Sequence, residues 1–526
     1  MFESICRAMS EPEFYPHDAT GLERRDTHIS TVFLAGPWAY KLKKPVKFDF
    51  LDFLSLDDRR FFCEREVLLN QRLSRGIYHD VVGIYQDDQG GFSLMPGGMV
   101  VEYAVKMTRL PDNKSLSALI RRGEICVDHI TTLGRMLAAF YEKAEHGSHQ
   151  DEFGKRELIS LNMEENFAGI EPFVGKGLFD GERWEFIRQV CRSFLKDHGD
   201  LFDRRIAAGR IRDGHGDLRC EHVYYHDGIQ VIDCIEFNER FRYGDAALDL
   251  SFLVMDLDHL GCPDLGRELV SSYAISAADV EIYQLLDFYA AYRALVRLKV
   301  SCFSIGQNRL KENAFMEREI RRYLNQAYFY ALLFGRPTLW VFFGLPASGK
   351  STLAGKTAEA LSLPVFHSDV ERKKGLKKSS RTRASFNEGI YRTAFRTRVY
   401  SRLISLAQER LAAGGSVILD ATFLEPKWRK WIGQLAEDMD ADLVWVQCVC
   451  KHQTSISRLQ QRELDPGESD ARLSHFLEME KRAVPFAAEN PDTHFVVDTD
   501  QVLNRSLVEV LSQAYSAKRA QIKSLA

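Results

Sequence analysis

The sequence lacks three features that would have directed its interpretation elsewhere: membrane-length apolar runs, closely paired cysteines and a strong excess of one charge. Its ten cysteines are scattered without C-x-x-C spacing, so they give no sign of a disulfide framework. The formal net charge of −4 over 526 residues gives no argument for general nucleic-acid binding. The N-terminus lacks a signal-peptide pattern. We therefore expect a cytoplasmic protein in a reducing setting, with no membrane partner.

One stretch, residues 338–352, is the most informative in the chain. Residues 338–343 predict a buried strand, and a helix-prone segment begins at Thr352. Between them lies the pattern Gly344-x-x-x-x-Gly349-Lys350-Ser351. The order of strand, glycine-bounded loop and helix is the context that identifies a phosphate-binding P-loop. The residues predicted to contact the nucleotide are Gly344, Leu345, Pro346, Ala347, Ser348, Gly349, Lys350, Ser351 and Thr352.

The chemistry of this loop suits a nucleoside triphosphate. Its glycines let backbone N–H groups converge on the phosphates, and the following helix adds the partial positive charge of its N-terminus. Lys350 would reach the β- and γ-phosphates, and the Ser351 hydroxyl would coordinate Mg²⁺. The sequence therefore predicts ATP or GTP as the ligand, with ATP and Mg²⁺ as the expected cofactors.

A break just before this loop marks a domain boundary. Residues 312–334 predict a long helix, and Gly335 and Pro337 supply its stop signal. At 526 residues, the chain is longer than one hydrophobic core usually serves. We therefore predict an N-terminal extension (1–26), a first domain (27–334) and a P-loop domain (338–526).

The P-loop domain alternates predicted strands and helices, which is typical of an α/β fold with a parallel sheet covered on both faces. Two of these strands end in carboxylates, Asp369 and Asp420. Ligands of such sheets bind beyond the carboxyl ends of the strands, so both aspartates should lie beside the P-loop. We predict that Asp369 accepts the proton of an alcohol acceptor and that Asp420 holds Mg²⁺.

Two basic features follow these strands. Arg458 and Arg462 lie four residues apart, on one face of the helix predicted after the fourth strand. There they would close over the phosphates and neutralise charge in the transition state, or they form a solvated basic face. The basic tract at 371–383 likewise has two possible interpretations. It either holds an anionic acceptor such as an RNA end or forms a solvated lid.

These motifs resemble the P-loop kinases of the group that contains polynucleotide 5′-kinases, zeta-type toxins and chloramphenicol phosphotransferase. The resemblance rests on the P-loop, on Ser368-Asp369-Val-Glu-Arg372, on Leu419-Asp-Ala-Thr-Phe423 and on the two arginines. It implies a kinase fold and a kinase activity. It also implies that Arg372, three residues after the predicted base, binds a phosphate of the substrate.

The first 330 residues carry a second set of charged residues with kinase-like spacing. His215-Gly-Asp217 is followed by a predicted hairpin that ends at Asp233, which would bring two carboxylates to one end of a strand pair. One would accept a proton and the other would hold Mg²⁺. Lys41 on a predicted strand and Glu66 on a predicted helix match the lysine–glutamate pair that fixes nucleotide phosphates in protein-kinase-like folds.

This part of the chain, roughly residues 27–330, resembles the aminoglycoside phosphotransferases and related small-molecule kinases. The resemblance implies an α+β protein-kinase-like fold. It also implies that Asp217 is the catalytic aspartate, that Lys41 and Glu66 bind the nucleotide, and that Asp233 binds the metal.

The sequence departs from that family in several places. His222 falls where the family has a metal-binding asparagine, and histidine is a poor ligand for Mg²⁺. No glycine-rich loop precedes Lys41; Gly36-Pro37 marks a turn there. Glu236 and Asn238 either join the metal or acceptor site or hold a polar core together. This half is therefore an impaired kinase, a kinase that handles its metal differently, or a binding domain.

Together the two resemblances indicate a type of bacterial fusion that joins a protein-kinase-like domain to a P-loop kinase domain. We therefore predict a bifunctional, ATP- and Mg²⁺-dependent kinase. It would transfer the γ-phosphate to an alcohol group of a small molecule, a nucleotide or an RNA end. Two alternatives stay open: a 5′-polynucleotide kinase, and an ATP-driven switch or scaffold with an inactive N-terminal domain.

Overall fold

The apolar strands of the sequence form two separate main sheets, one antiparallel and one parallel. The computed structural model describes residues 1–48, 50–175, 179–304, 310–374, 393–464, 473–486 and 493–523. The chain packs as two units. The first unit comprises Met1–Glu165 and His198–Gly266, and the second comprises Asn166–Asp197 and Arg267–Ala526.

The helices and strands have the following bounds. The α-helices are α1 (Phe2–Ala8), α2 (Leu56–Asn70), α3 (Leu116–Arg121), α4 (Val127–Lys143), α5 (Ser148–Asp151), α6 (Arg156–Ile170), α7 (Gly181–Asp197), α8 (Gly199–Ala207), α9 (Glu239–Arg242), α10 (Ala246–His259), α11 (Pro263–Ser276), α12 (Ile282–Ser304), α13 (Leu310–Gly335), α14 (Lys350–Leu361), α15 (Ser368–Lys373), α16 (Thr393–Ala412), α17 (Pro426–Asp438), α18 (His452–Leu464), α19 (Leu473–Arg482) and α20 (Leu503–Lys523). The strands are β1 (Glu23–Asp26), β2 (Ser30–Ala35), β3 (Trp38–Lys43), β4 (Lys47–Phe48), β5 (Leu51–Asp52), β6 (Tyr78–Gln86), β7 (Phe92–Ser93), β8 (Met99–Thr108), β9 (Ile211–Asp213), β10 (Val223–Tyr225), β11 (Ile229–Val231), β12 (Tyr243–Asp245), β13 (Thr338–Phe343), β14 (Val365–His367), β15 (Val417–Asp420), β16 (Asp442–Val449) and β17 (His494–Asp498). Within the described ranges, no helix combines the length and the apolar character that crossing a membrane requires.

The first unit is built on a six-stranded sheet with the order β1-β2-β3-β8-β6-β7, in which neighbouring strands are antiparallel. Helix α2 packs on one face, where Cys63 joins the apolar cluster of that face. Helix α1 covers the other face, where Ile5 lies in one cluster with Phe33. Lys41 lies on strand β3 and Glu66 on helix α2, the kinds of element that the sequence predicts for them.

The segment that the sequence set apart as an N-terminal extension takes part in this sheet. Strand β1 pairs with β2 over the register Glu23↔Leu34 to Asp26↔Thr31. Because α1 buries Ile5 against the sheet, residues 1–26 contribute to the core of the first unit.

The predicted hairpin after Asp217 is present. Strands β10 and β11 pair antiparallel, with Val223 opposite Val231 and the turn at residues 226–228. Residue Asp217 precedes the hairpin and Asp233 follows it. The hairpin therefore sets both carboxylates at the same end of a strand pair, as the sequence predicts.

The second unit holds a five-stranded parallel sheet with the order β14-β15-β13-β16-β17. Its central strand β13 is buried along its whole length, as expected for a sheet covered on both faces. One apolar core cluster of this unit contains Trp428 and another contains Leu353. The predicted α/β fold of the P-loop part is confirmed.

One local prediction in this sheet was wrong. The sequence placed Asp369 at the end of a strand, but β14 ends at His367 and Asp369 lies in the first turn of the short helix α15. Acidic residues occupy the first turn of α15, and Arg372 and Lys373 occupy its last turn. This order of charges matches the helix dipole and favours a helix there.

Residues 267–334 pack with the unit of the P-loop sheet. Helices α12 and α20 are joined by the ion pair Asp287–Arg519, at 2.5 Å. The predicted break is visible between the end of α13 at Gly335 and the start of β13 at Thr338. The boundaries of the two packing units therefore differ from those of the predicted domain 27–334. That domain stays a prediction.

The buried ion pair between Arg205 and Asp245 generates a stability prediction. Both side chains are 1% exposed, and they meet at 2.7 and 2.8 Å. Replacing Arg205 by Met leaves a buried carboxylate without its charge partner, which we expect to cost about 3–5 kcal/mol. Urea-unfolding midpoints would measure the loss. Arg122, in an exposed pair with Glu124, is the control: Arg122→Met should cost less than about 1 kcal/mol. Equal losses would contradict the prediction.

Candidate active sites

The P-loop lies between β13 and α14 and needs glycine at two positions. Gly344 and Gly349 adopt positive φ angles of 143° and 82°. A Cβ on Gly344 would collide with the carbonyl oxygen of Cys448, and one on Gly349 would lie 2.9 Å from the side chain of Thr499. Because α14 begins at Lys350, its first N–H groups adjoin the loop. The bare backbone and the helix N-terminus together form a cradle suited to phosphate.

Two buried oxygens at this edge of the sheet lack a hydrogen-bond partner among the described residues: Ser348 Oγ and Asp420 Oδ1. Leaving a buried polar atom unpaired costs about 1–3 kcal/mol, so these two oxygens beside the P-loop are candidates for contact with a ligand. Lys350 Nζ makes a long contact of 3.5 Å to the carbonyl oxygen of Leu345, and the Ser351 side chain is exposed. Hydroxyl, carboxylate and ammonium groups in this combination fit a nucleoside triphosphate with Mg²⁺.

Asp420 has a neighbour that sequence reasoning missed. His367 ends β14 and lies opposite Asp420 of β15 in the parallel register. Its Nδ1 is 2.7 Å from Asp420 Oδ2, which leaves the other carboxylate oxygen buried and unpaired. His367 thus fixes the orientation of the predicted Mg²⁺ ligand. The sequence carries no signal for this contact, since it does not say which strands are neighbours.

The predicted base and the predicted substrate ligand contact each other. Arg372 Nη1 donates to Asp369 Oδ1 at 2.5 Å, across one turn of α15. The guanidinium stabilises the ionised carboxylate, which is the form that accepts a proton. Most of the basic tract, residues 375–383, lies outside the described residues.

Arg458 braces the P-loop backbone. Its guanidinium donates to the carbonyl oxygens of Ala347 and Thr499, at 3.1 and 3.0 Å. The Thr499 hydroxyl in turn donates to the carbonyl oxygen of Ser348 at 2.7 Å. The contact of Arg458 with phosphates stays a prediction, and the side chain of Arg462 lies outside the described residues. Thr499 is a second residue that sequence reasoning missed.

A cavity of about 320 Å³ adjoins the first residues of the P-loop. Its lining includes Gly344 and Leu345 of the P-loop, together with residues of α19 and of the segment that follows it. Three phenylalanines contribute to its wall, and His452 and Glu480 are among its polar residues. Its volume is in the lower range of small-molecule sites. Phenylalanines that line the cavity are Phe343, Phe476 and Phe486.

In the first unit, the structure brings Lys41, Glu66 and Asp233 together. Lys41 Nζ lies 2.8 Å from Glu66 Oε1 and 2.5 Å from Asp233 Oδ1. Burial alone would lower the pKa of Lys41, but the two carboxylates raise it well above its ordinary value. Burial would likewise raise the pKa of Asp233, and Lys41 holds it well below its ordinary value. The nucleotide lysine expected from the resemblance is therefore a charged ammonium between two ionised carboxylates.

A second lysine extends this cluster. Lys43 is buried, donates to Glu66 Oε2 at 2.7 Å and pairs with Glu236. Of the two roles left open for Glu236, this contact supports the structural one, in a buried polar core. Asn238 caps α9 by accepting from the N–H of Arg240.

The predicted catalytic and metal residues of the first unit form a second cluster. Donor atoms of Asp217, His222 and Asp233 lie within 4.8 Å of one another. Arg219 binds both oxygens of Asp217, at 3.0 and 3.1 Å. The loop that carries Asp217 is anchored by Asp249, which accepts from the N–H groups of residues 215 and 216 at 2.5 and 2.8 Å.

The end of the sheet near Lys43 has a short connection in place of a glycine-rich loop. Strands β1 and β2 are joined by residues 27–29, which contain no glycine. The Thr27 hydroxyl accepts from the N–H groups of Ile29 and Ser30, so the turn is closed on itself. The turn noted in the sequence, Gly36-Pro37, joins β2 to β3. The phosphate-covering loop expected of protein-kinase-like folds is therefore replaced by a tight turn.

Comparisons with known proteins agree with this division. A model of the AAA domain family matches residues 339–486. A protein from Mycobacterium tuberculosis, described as uncharacterized, is 31% identical over 511 residues, which cover 96% of this chain and 97% of the relative. A choline/ethanolamine kinase family protein from Mesorhizobium loti covers 62% of this chain and 99% of its own, at 12% identity and a TM-score of 0.37. A gluconokinase from Sinorhizobium meliloti covers 36% and 98%, at 19% identity and a TM-score of 0.25.

The predicted fusion is confirmed. The antiparallel sheet with its lysine–glutamate pair gives the first unit its protein-kinase-like fold. The parallel sheet and the AAA domain match identify the P-loop fold at the C-terminal end. Both folds are of kinase type.

Gly349 generates a prediction about nucleotide binding. A methyl group at residue 349 would contact the side chain of Thr499 too closely. The alanine would also have to adopt a φ of 82°, which is strained for any residue with a Cβ. Gly349→Ala should therefore distort the loop that holds the phosphates. We expect at least about a tenfold loss of affinity for an ATP analogue, which corresponds to roughly 1.4 kcal/mol. Fluorescence titration with a labelled analogue would measure it.

Gly355 of the same helix provides the matched control. A Cβ at Gly355 meets no atom within 4 Å, so Gly355→Ala should leave affinity unchanged and stabilise α14 slightly. Equal affinities in both variants would show that the close approach at Gly349 is unrelated to nucleotide binding.

Proposed function

This chain belongs to the same family as its mycobacterial relative along nearly its whole length, and we propose that it is an ATP- and Mg²⁺-dependent phosphotransferase that phosphorylates an alcohol. The observation that carries the proposal is the pair of buried, unpartnered oxygens, Ser348 Oγ and Asp420 Oδ1, at the P-loop edge of the sheet. These two oxygens could be satisfied by a ligand that supplies hydrogen-bond donors or a cation. Mg²⁺·ATP supplies the cation.

The roles of the P-loop residues follow from their chemistry. Backbone N–H groups and Lys350 would hold the phosphates, while Ser351 and Asp420 would hold Mg²⁺. Mg²⁺, when bound, neutralises charge on the phosphates. His367 Nδ1 contacts Asp420 Oδ2 at 2.7 Å, which leaves Asp420 Oδ1 as the oxygen that would bind Mg²⁺.

Asp369 is the proposed base for the acceptor hydroxyl. Its ion pair with Arg372 stabilises the negative charge of the carboxylate but also occupies one of its oxygens. An anionic group on the acceptor would compete for Arg372 and free that oxygen for the hydroxyl. Binding of the correct acceptor would then complete the base, which is a form of induced fit.

A small molecule is the acceptor that we favour. The cavity beside the P-loop is lined in part by α19 and holds about 320 Å³, a volume that suits a metabolite. The 5′-polynucleotide kinase alternative depends on the basic tract 371–383 and stays a prediction from the sequence.

We further propose that the first unit is a second nucleotide site. The Lys41–Glu66 pair and the carboxylates Asp217 and Asp233 support it. The tight turn at residues 27–29 gives this site less backbone with which to cover a nucleotide. We therefore expect weaker nucleotide binding there than at the P-loop.

Transfer of γ-³²P from ATP into a pooled metabolite extract, and separately into 5′-hydroxyl RNA, tests the proposal. Lys350→Ala should reduce transfer at the P-loop site by about 10²-fold or more, because it removes a transition-state charge partner. Lys356→Ala is the matched control, since Lys356 lies on the same helix and pairs with Glu359 in solvent. Its transfer should equal that of the unmodified chain.

Asp217→Asn separates the two units. Residual transfer in Lys350→Ala that disappears on adding Asp217→Asn would make the first unit an active kinase. Label found as free phosphate in every fraction, for all variants, would contradict the phosphotransferase and favour an ATP-driven switch.

A further inference from the structure

Three side chains of the first unit form a compact set of potential metal ligands: Asp217, His222 and Asp233. One donor atom from each lies within 4.8 Å of the other two. Bonds from first-row divalent metals to oxygen or nitrogen are about 2.0–2.2 Å long, so two ligands of one ion stand up to about 4.4 Å apart. Small side-chain adjustments are therefore enough to place all three on one ion.

The imidazole of His222 is oriented to bind through Nε2. Its Nδ1 lies 2.9 Å from the backbone carbonyl oxygen of Asp217, which can only accept, so Nδ1 carries a proton. Nε2 lies 3.3 Å from Arg219 Nη2, which can only donate, so this contact requires the lone pair to be on Nε2. Nε2 also lies 3.6 Å from Asp233 Oδ2. A histidine with Nδ1–H tied to a carbonyl oxygen is the usual arrangement of a metal-bound imidazole.

This donor set does not match the preference of Mg²⁺. Mg²⁺ takes oxygen ligands in octahedral geometry, whereas an imidazole nitrogen raises affinity for the divalent transition metals. We propose that Asp217, His222 and Asp233 bind a divalent transition-metal ion, and that the site holds Mn²⁺ more tightly than Mg²⁺. The P-loop edge offers carboxylate and hydroxyl oxygens instead, which are the ligands that suit Mg²⁺.

Arg219 is an internal competitor for the metal. Its guanidinium binds both oxygens of Asp217, at 3.0 and 3.1 Å, and reaches His222 Nε2. Lys41 binds one oxygen of Asp233, Oδ1, at 2.5 Å. These cations stabilise the carboxylates while no metal is bound. A metal ion has to displace part of this contact, so removal of the Arg219 charge should tighten metal binding.

The inference extends beyond the proposed phosphotransfer, because metal binding is measured without an acceptor and without turnover. A chain that transfers no phosphate can still bind Mn²⁺ at this site, and a chain that transfers phosphate can fail to bind it. The two outcomes are therefore distinguishable.

Electron paramagnetic resonance of the full chain titrated with MnCl₂ tests the proposal. An Asp420→Asn background removes Mn²⁺ bound at the P-loop edge. We expect one Mn²⁺ per chain, with a ¹⁴N coupling from imidazole in the pulsed spectrum. His222→Asn should abolish the ¹⁴N coupling and weaken Mn²⁺ binding at least about tenfold. Displacing Mn²⁺ should require at least about a tenfold excess of Mg²⁺.

His226 provides the matched control. It lies in the turn between β10 and β11, half-exposed and four residues from His222, so His226→Asn should leave the titration and the spectrum unchanged. Arg219→Met should tighten Mn²⁺ binding. Should His222→Asn fail to fold, as judged by circular dichroism, the unmodified spectrum and the Arg219→Met titration decide the question. Absence of ¹⁴N coupling in the background chain, its persistence in His222→Asn, or displacement of Mn²⁺ by equimolar Mg²⁺ would overturn the proposal.

Discussion

A buried charge needs a partner of opposite charge, and this constraint shapes both candidate sites. In the first unit, protein side chains supply the partners. Lys41 forms ion pairs with Glu66 and Asp233. The neighbouring Lys43 forms ion pairs with Glu66 and Glu236. The cluster therefore sets three acidic side chains around two ammonium groups.

The P-loop edge solves the same problem differently. Ser348 and Asp420 each keep a buried oxygen without a protein partner among the described residues, and Gly344 and Gly349 keep side chains out of the cradle. A phosphate group with its cation is the partner that this arrangement lacks. The contrast explains why we assign the principal nucleotide site to the P-loop. In the first unit, a ligand has to displace contacts that the protein already makes.

Motifs that depend on local order could be predicted from the sequence, and contacts between distant segments could not. The P-loop could be predicted because a strand, a glycine-bounded loop and a helix follow one another directly in the sequence. The strand predicted to end at Asp369 ends two residues earlier, at His367. The charges at 369–373 favour the short helix α15 in its place. His367 and Thr499 escaped notice because their roles depend on which strands are neighbours in the sheet. The pairing of Glu236 with Lys43 likewise joins segments that are almost 200 residues apart.

The central claim is that the P-loop edge binds a nucleotide through Mg²⁺ held by Asp420. Calorimetric titration of a non-hydrolysable ATP analogue, with and without Mg²⁺, tests it most directly. A Lys41→Ala background would remove the lysine of the first unit and confine the signal to the P-loop. The account predicts that Mg²⁺ strengthens analogue binding when Asp420 is present and loses most of this effect in Asp420→Asn. An equal effect of Mg²⁺ in both chains would contradict it.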